Sequence, residues 1–132
     1  GENIGTLWRS AWQLGAAGIF TIGRKQRKQT SDVLNVPQKI PYRHFDSFED
    51  FLISRPVGAQ LIGVEFGGIP LSKFSHPAKA IYLLGSETNG LSKEILAACN
   101  TIVEIESINY MSYNVSVAGS IVMYHRLISS GE

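Results

Sequence analysis

Three short stretches of this 132-residue chain gather glycine, amide and charged side chains more densely than packing alone requires. The first runs from Asn3 through Arg9 to Gly15, the second is Gly85-Ser-Glu-Thr-Asn-Gly-Leu91, and the third is Ser112-Tyr-Asn-Val-Ser116. In the second, Gly85 and Gly90 allow a backbone to approach a ligand closely, and Glu87 and Asn89 add polar groups between them. The same string is also what an ordinary strand-to-helix turn looks like. Arg9 supplies a permanent cation suited to phosphate or developing negative charge, and an arginine on an amphipathic helix is equally a solvated surface residue. Ser112 to Ser116 can contact a ligand or simply cap the helix that follows. No single stretch decides between chemistry and structure.

Other reactive side chains are sparse. His44, His76 and His125 lack the spacing of a metal site, and Cys99 is the sole cysteine, so neither a bound metal nor an internal disulfide is expected.

The elements that must position these residues follow from periodicity. Ile4, Leu7, Trp8, Ala11 and Trp12 recur at three- and four-residue steps behind Asn3 in a cap position, which predicts an amphipathic helix ended by Gly15 and Gly18. Trp8 and Trp12 share its apolar face and are expected in a core or interface. Gly18 to Gly23 reads as a short buried strand emptying into Arg24-Lys-Gln-Arg-Lys28, the densest positive run. After a connection around Pro37 and Pro41, Phe48, Phe51 and Leu52 predict a second helix, and Gln60 to Phe66 a strand closed by Gly67-Gly68. Ala80 to Leu84 is a continuous apolar run leading into the glycine-bounded loop, with Ser92 capping a helix over Lys93 to Ala98. Thr101 to Ile105 predicts a further strand. From Ser112 to Ile128 runs a helix apolar enough to need cover on more than one side, as a subunit interface would provide.

Strands alternating with helices argue for an α/β fold: a mostly parallel sheet with helices on both faces, its ligands beyond the carboxyl ends of the strands. The loops after Leu84 and Ile105 lie at such ends. With 44% apolar and 17% charged residues the composition suits one globular domain, and no linker or repeat divides it. A formal net charge of +1 means that any nucleic-acid contact must come from local clusters of Lys and Arg. With no charged-plus-apolar leader and no long apolar span, the protein is expected to be cytoplasmic, without a membrane partner.

Taken together, Asn3 with Arg9 and Gly15, then Leu84-Gly-Ser-Glu-Thr-Asn-Gly-Leu91, then Ser112-Tyr-Asn-Val-Ser-Val-Ala118, resemble the three ordered motifs of the TrmH-like (SpoU) branch of the SPOUT RNA methyltransferases. The resemblance spans nearly the whole chain. It implies one catalytic domain over residues 1–132, a C-terminal trefoil knot and a homodimer whose active site is completed across the interface. S-adenosylmethionine is the implied cofactor and tRNA or rRNA the implied partner, with ribose 2′-O-methylation as the reaction. Carried over by residue, it places catalytic roles on Arg9, Asn3, Glu87, Ser112 and Asn114. Cofactor contacts fall on Val64, Gly85, Ile105, Ser112 and Tyr113. RNA binding is expected from Arg24, Lys25, Arg27 and Lys28, with Arg43 and Lys39 as further contributors if both subunits take part, and a merely solvated basic loop reads equally well from the residues.

The chain also departs from the family pattern. It starts two residues ahead of Asn3, where relatives open with a strand, so either that strand is absent or the chain is truncated. Ile105-Glu106 stands where an Ile-Pro dipeptide is usual, the stretch to Ser112 is a residue short, and Tyr113 replaces a common leucine. These changes leave open a catalytically idle RNA-binding or assembly module with the same fold, which need not bind the cofactor. A generic nucleotide-binding domain would carry a Gly-x-Gly-x-x-Gly string, and none occurs.

Overall fold

The computed structural model describes residues 2–23, 40–86, 89–109 and 111–129. They fall into two compact units, Gly1–Pro56 and Val57–Glu132, and every strand ladder in both is parallel.

In the first unit, helix α1 (Glu2–Gln13) buries Ile4, Trp8 and Ala11, the stripe expected from their spacing. Asn3 lies within the first turn of α1, not ahead of it as a cap, because the helix already begins at Glu2. Trp8 anchors the packing: its indole N–H donates to the Ile40 carbonyl at 3.0 Å and its ring sits 5.4 Å from that of Tyr42. Trp12, one step round the helix, remains half exposed.

Strand β1 (Ile19–Ile22) pairs with β2 (Tyr42–Phe45). The second of these strands falls where the sequence suggested only a connection. Its four residues follow Pro41, include Arg43 and His44, and present no apolar run to read. Across the ladder, Thr21 Oγ1 lies 2.8 Å from the Tyr42 hydroxyl and 2.7 Å from His44 Nδ1. Helix α2 (Phe48–Ser54) starts at a Ser47 cap whose hydroxyl accepts the Asp50 amide, and it stacks Phe51 on Phe20 at 4.7 Å.

The second unit holds a three-stranded sheet in the order β4 (Ala80–Leu84), β3 (Gln60–Pro70), β5 (Thr101–Glu104). Leu61, Ile62 and Val103 are fully buried, as parallel strands covered on both faces require. Gly67-Gly68 does not close β3. The strand runs on to Pro70, but its register with β5 jumps between Val64 and Ile69, so residues 65–68 bow out of the ladder. A short 3₁₀ turn (Leu71–Lys73) follows. Helix α3 (Lys93–Ala98) is capped by Ser92 as expected, its hydroxyl accepting the Ile95 amide at 3.2 Å. Helix α4 (Val115–Ser129) packs Ala118 and Val122 against Leu71 and Ile105. No helix among the described residues is long and apolar enough to cross a membrane.

Candidate functional site

Beyond the carboxyl ends of β3, β4 and β5 the second unit opens a shallow pocket, about 490 Å³ when the open solvent at its mouth is counted. This is where an open parallel sheet is expected to receive a ligand. One wall is Val64, Glu65 and Phe66, where β3 leaves its ladder; the second is Leu84, Gly85, Ser86 and Gly90 from the turn after β4. Glu104 and Ile105 form the third, and Ser112, Tyr113, Val115 and Ala118 close the fourth. Val64, Gly85, Ile105, Ser112 and Tyr113, drawn from four separate segments, therefore surround one cavity.

Each wall has a local cause. Gly85 has no room for a side chain, since a Cβ there would overlap the backbone of Gly90 and Leu91. Gly90 takes a φ of +67°, the left-handed conformation that glycine adopts without strain. The turn is tied internally by Ser86, whose carbonyl accepts the Gly90 amide at 2.9 Å and whose hydroxyl accepts the Asn89 amide at 3.1 Å.

In the fourth wall, Asn114 is a helix cap. Its Oδ1 accepts hydrogen bonds from the amides of Ser116 and Val117, at 2.9 and 3.3 Å, and from the Ser116 hydroxyl at 2.8 Å. Helix α4 consequently begins at Val115, and Ser112 to Asn114 are an irregular lead-in where the sequence suggested helix. Tyr113 donates its hydroxyl to the Glu106 carbonyl at 2.8 Å. Glu106 itself is exposed and accepts from the amide and hydroxyl of Ser72. The Ser72 hydroxyl is the first of several bonds holding its carboxyl below the usual range.

Arg9 is exposed on α1, in the first unit, and Asn3 belongs to the same helix. Glu87 lies outside the described residues, and so do Arg24, Lys25, Arg27, Lys28 and Lys39. Arg43 is exposed on β2 with its guanidinium 4.8 Å from the Phe45 ring centre.

Sequence reasoning missed the two carboxylates in the lining, Glu65 and Glu104. It also missed a polar chain beside α4 in which His76 bridges Tyr82 and His125. Glu65, Glu104 and His76 reach partners 26, 37 and 49 residues away, so spacing carries no trace of those contacts. Among the described residues no group of three or more His, Cys, Asp or Glu side chains is arranged to hold a metal. Burial pushes the Cys99 thiol up, so it is no activated nucleophile.

Residues 1–124 match the model of the SpoU rRNA methylase family. The chain belongs to this family. A SpoU relative from Archaeoglobus fulgidus, described as an uncharacterized tRNA/rRNA methyltransferase, is 26% identical over 129 residues, covering 93% of this chain and 58% of its own length. A solved structure concerned with 2-OH methylation of C/U34 on tRNA is 25% identical with a TM-score of 0.84, over 99% of this chain and 90% of that one. An AdoMet-bound rRNA methyltransferase from Sinorhizobium meliloti is 24% identical with a TM-score of 0.77, over 94% of this chain and 50% of that one. The chain thus spans little more than half of the Archaeoglobus relative and half of the Sinorhizobium enzyme. The fold is that of the SpoU methylases: mixed α/β with parallel sheets and helices.

Proposed function

We propose that this chain is the catalytic domain of an S-adenosylmethionine-dependent methyltransferase acting on tRNA or rRNA in the cytoplasm, and that its acceptor is a ribose 2′-hydroxyl. The observation that carries the reading is the convergence of Val64, Gly85, Ile105, Ser112 and Tyr113 on one cavity at the carboxyl end of a parallel sheet. Family membership and the AdoMet-bound relative support the choice of donor, and the relative concerned with tRNA 2-OH methylation supports the acceptor.

The cavity suits that donor chemically. Val64, Leu84, Ile105 and Ala118 offer an apolar slot for an adenine, and Gly85 and Gly90 leave main-chain groups accessible. When bound, the donor supplies an electrophilic methyl group on a sulfonium. The chain's own contribution is then to hold the reactants in line, which accounts for much of the acceleration in such a transfer. A ribose hydroxyl is a weak nucleophile, so charge developing on its oxygen needs a partner. Arg9 is assigned that role, or orientation of a neighbouring phosphate, since its reference pKa makes it a poor base.

The knotted threading of the C-terminal part and a homodimer belong to the same proposal. Helix α4 exposes Val117, Tyr124 and Ile128 at successive steps of seven and four residues, one apolar face that a second copy would cover.

The test joins calorimetry with S-adenosylmethionine to mass spectrometry of nucleosides from tRNA and rRNA incubated with the protein. Binding together with a new 2′-O-methyl nucleoside is expected. A methylated base would overturn the acceptor, and absence of both binding and methylation would leave the idle module as the correct reading.

A further inference from the structure

The two carboxylates in the lining have no part in the reading above, and both face the place where β3 bows out. β3 follows β4 as far as Val64 opposite Leu84 and follows β5 as far as Val64 opposite Val103, then resumes with Ile69 opposite Val103. Residues 65–68 have left that ladder, and side chains tie them down instead. Glu104 Oε1 accepts the Gly67 amide at 2.8 Å. Glu65 reaches the other way: its Oε1 accepts the Leu91 amide at 2.8 Å, and its Oε2 accepts the adjacent Phe66 amide at 3.2 Å.

The Leu91 bond crosses from β3 to the turn that forms the second wall of the cavity. The Ser86 bonds only close that turn on itself, whereas Glu65 fixes where the closed turn sits relative to β3. Space is reserved for this contact. A Cβ on Gly90 would collide with Glu65 Oε1, and Gly90 is already in a backbone conformation that disfavours any other residue. A carboxylate accepting a largely buried amide gives one of the stronger kinds of hydrogen bond available to a protein. Both oxygens of Glu65 are directed at backbone amides, so its acceptor geometry, rather than its charge, engages the wall.

We propose that Glu65 is a positioning residue of the donor site, holding the 85–91 turn against β3 so that Gly85 and Gly90 stand at the distance the ligand requires. This inference rests on the donor reading above for its functional half. Its structural half stands alone.

The experiment uses the full chain with two readouts, Leu91 amide exchange by NMR without ligand and S-adenosylhomocysteine affinity by calorimetry. In Glu65→Ala, Leu91 should exchange at least about tenfold faster, and affinity should fall by about tenfold or more, as expected when a charge-assisted bond is lost. Glu65→Gln keeps an acceptor oxygen at the same reach and should restore both readouts to within about threefold of the wild type. Gly90→Ala displaces the carboxylate without removing it and should repeat the exchange change, which covers the case in which Glu65→Ala does not fold. Unchanged Leu91 exchange in Glu65→Ala, or in Gly90→Ala where that variant stands in, overturns the clamp. Loss of affinity in Glu65→Gln as severe as in Glu65→Ala overturns it too, by showing a direct charge contact with the ligand. If the wild type binds no S-adenosylhomocysteine, the donor reading fails while the exchange rates still judge the clamp.

Discussion

The rings of His76 and His125, 49 residues apart in sequence, meet with Nε2 and Nδ1 separated by 2.8 Å. Arg126 can only donate, and its Nη1 lies 3.0 Å from the Tyr82 oxygen. The same Tyr82 oxygen lies 2.6 Å from His76 Nδ1, so the two ring nitrogens of His76 join Tyr82 to His125. Burial pushes the Tyr82 hydroxyl up, so it stays protonated. Arg126 also donates to the Pro77 and Ala78 carbonyls, at 2.7 and 3.0 Å. The network fastens the end of α4 to the segment entering β4.

Acid should loosen that fastening. His76 is lowered from 6.5 to about 4, first by burial and then by the charges of His125 and Arg126. The unfolded chain therefore binds a proton at this position between about pH 6.5 and 4 that the folded chain refuses, so stability is full above that window and falls as pH drops through it. Tyr82, His125 and Arg126 are the polar groups facing the ring, and Glu106 interacts with His125 from the loop after β5. The site is only partly buried, so the loss after solvent screening is on the order of 1 kcal/mol. Thermal melts from pH 7 to 4 on wild type and His76→Phe check this: the variant should show the shallower decline, and equal slopes would refute the assignment.

Replacing Asn114 by alanine should destabilise the second unit whatever its catalytic role. Its Oδ1 satisfies two amides of the first turn of α4, and loss of such a cap typically costs about 1 to 2 kcal/mol. Asn114→Asp retains the acceptor and adds a favourable charge at a helix N-terminus, so urea titration should find it close to the wild type. An alanine variant as stable as the wild type would contradict the capping geometry. Activity lost in Asn114→Ala is therefore to be judged against Asn114→Ser, which keeps the cap while removing the amide.

Much of the cavity was legible because parallel strands announce themselves. Ala80 to Leu84 and Thr101 to Ile105 are short apolar runs ending in polar loops, so Gly85 and Ile105 could be placed at strand ends without a structure. Ser112 and Tyr113 came from motif order alone. Other features were hidden for specific reasons. Tyr42–Phe45 shows no apolar run, since Arg43 and His44 interrupt it, yet β1 supplies a parallel partner. Gly67-Gly68 read as a strand end because glycine commonly marks one, whereas here it permits a detour: a Cβ on Gly68 would overlap the Ile102 carbonyl. Asn3 suits a cap position, but the helix starts one residue earlier. Glu65 could not be found at all, because its carboxylate matters through an amide 26 residues away.

Neutralising Arg24, Lys25, Arg27 and Lys28 together should weaken binding to tRNA or rRNA and flatten its salt dependence. If all four contact phosphates, the slope of log affinity against log salt should shrink by roughly 3 to 4. A formal net charge of +1 is too small to attract RNA by itself, so any electrostatic attraction has to come from local clusters such as this run. Filter binding at several salt concentrations gives the slope directly, and an unaltered slope would remove these four residues from the interface.

Arg9 is the residue whose loss most cleanly separates chemistry from folding. It is exposed on α1, while Ile4, Trp8 and Ala11 on the opposite side of that helix hold the packing. Truncation should thus leave the melting temperature nearly unchanged, since surface substitutions usually lie within about 0.5 kcal/mol. If its guanidinium stabilises charge on the attacking oxygen, Arg9→Ala should cut the single-turnover methylation rate by roughly 10² to 10³, the usual effect of deleting one such group. Arg9→Lys should recover only part of that loss, because an ammonium keeps the charge without the planar two-pronged donor. S-adenosylhomocysteine affinity should stay close to the wild type in both variants, which places the defect in the reaction and not in the donor cavity. Full single-turnover methylation by Arg9→Ala on a verified substrate would withdraw the role from Arg9 and leave it a solvated helix residue.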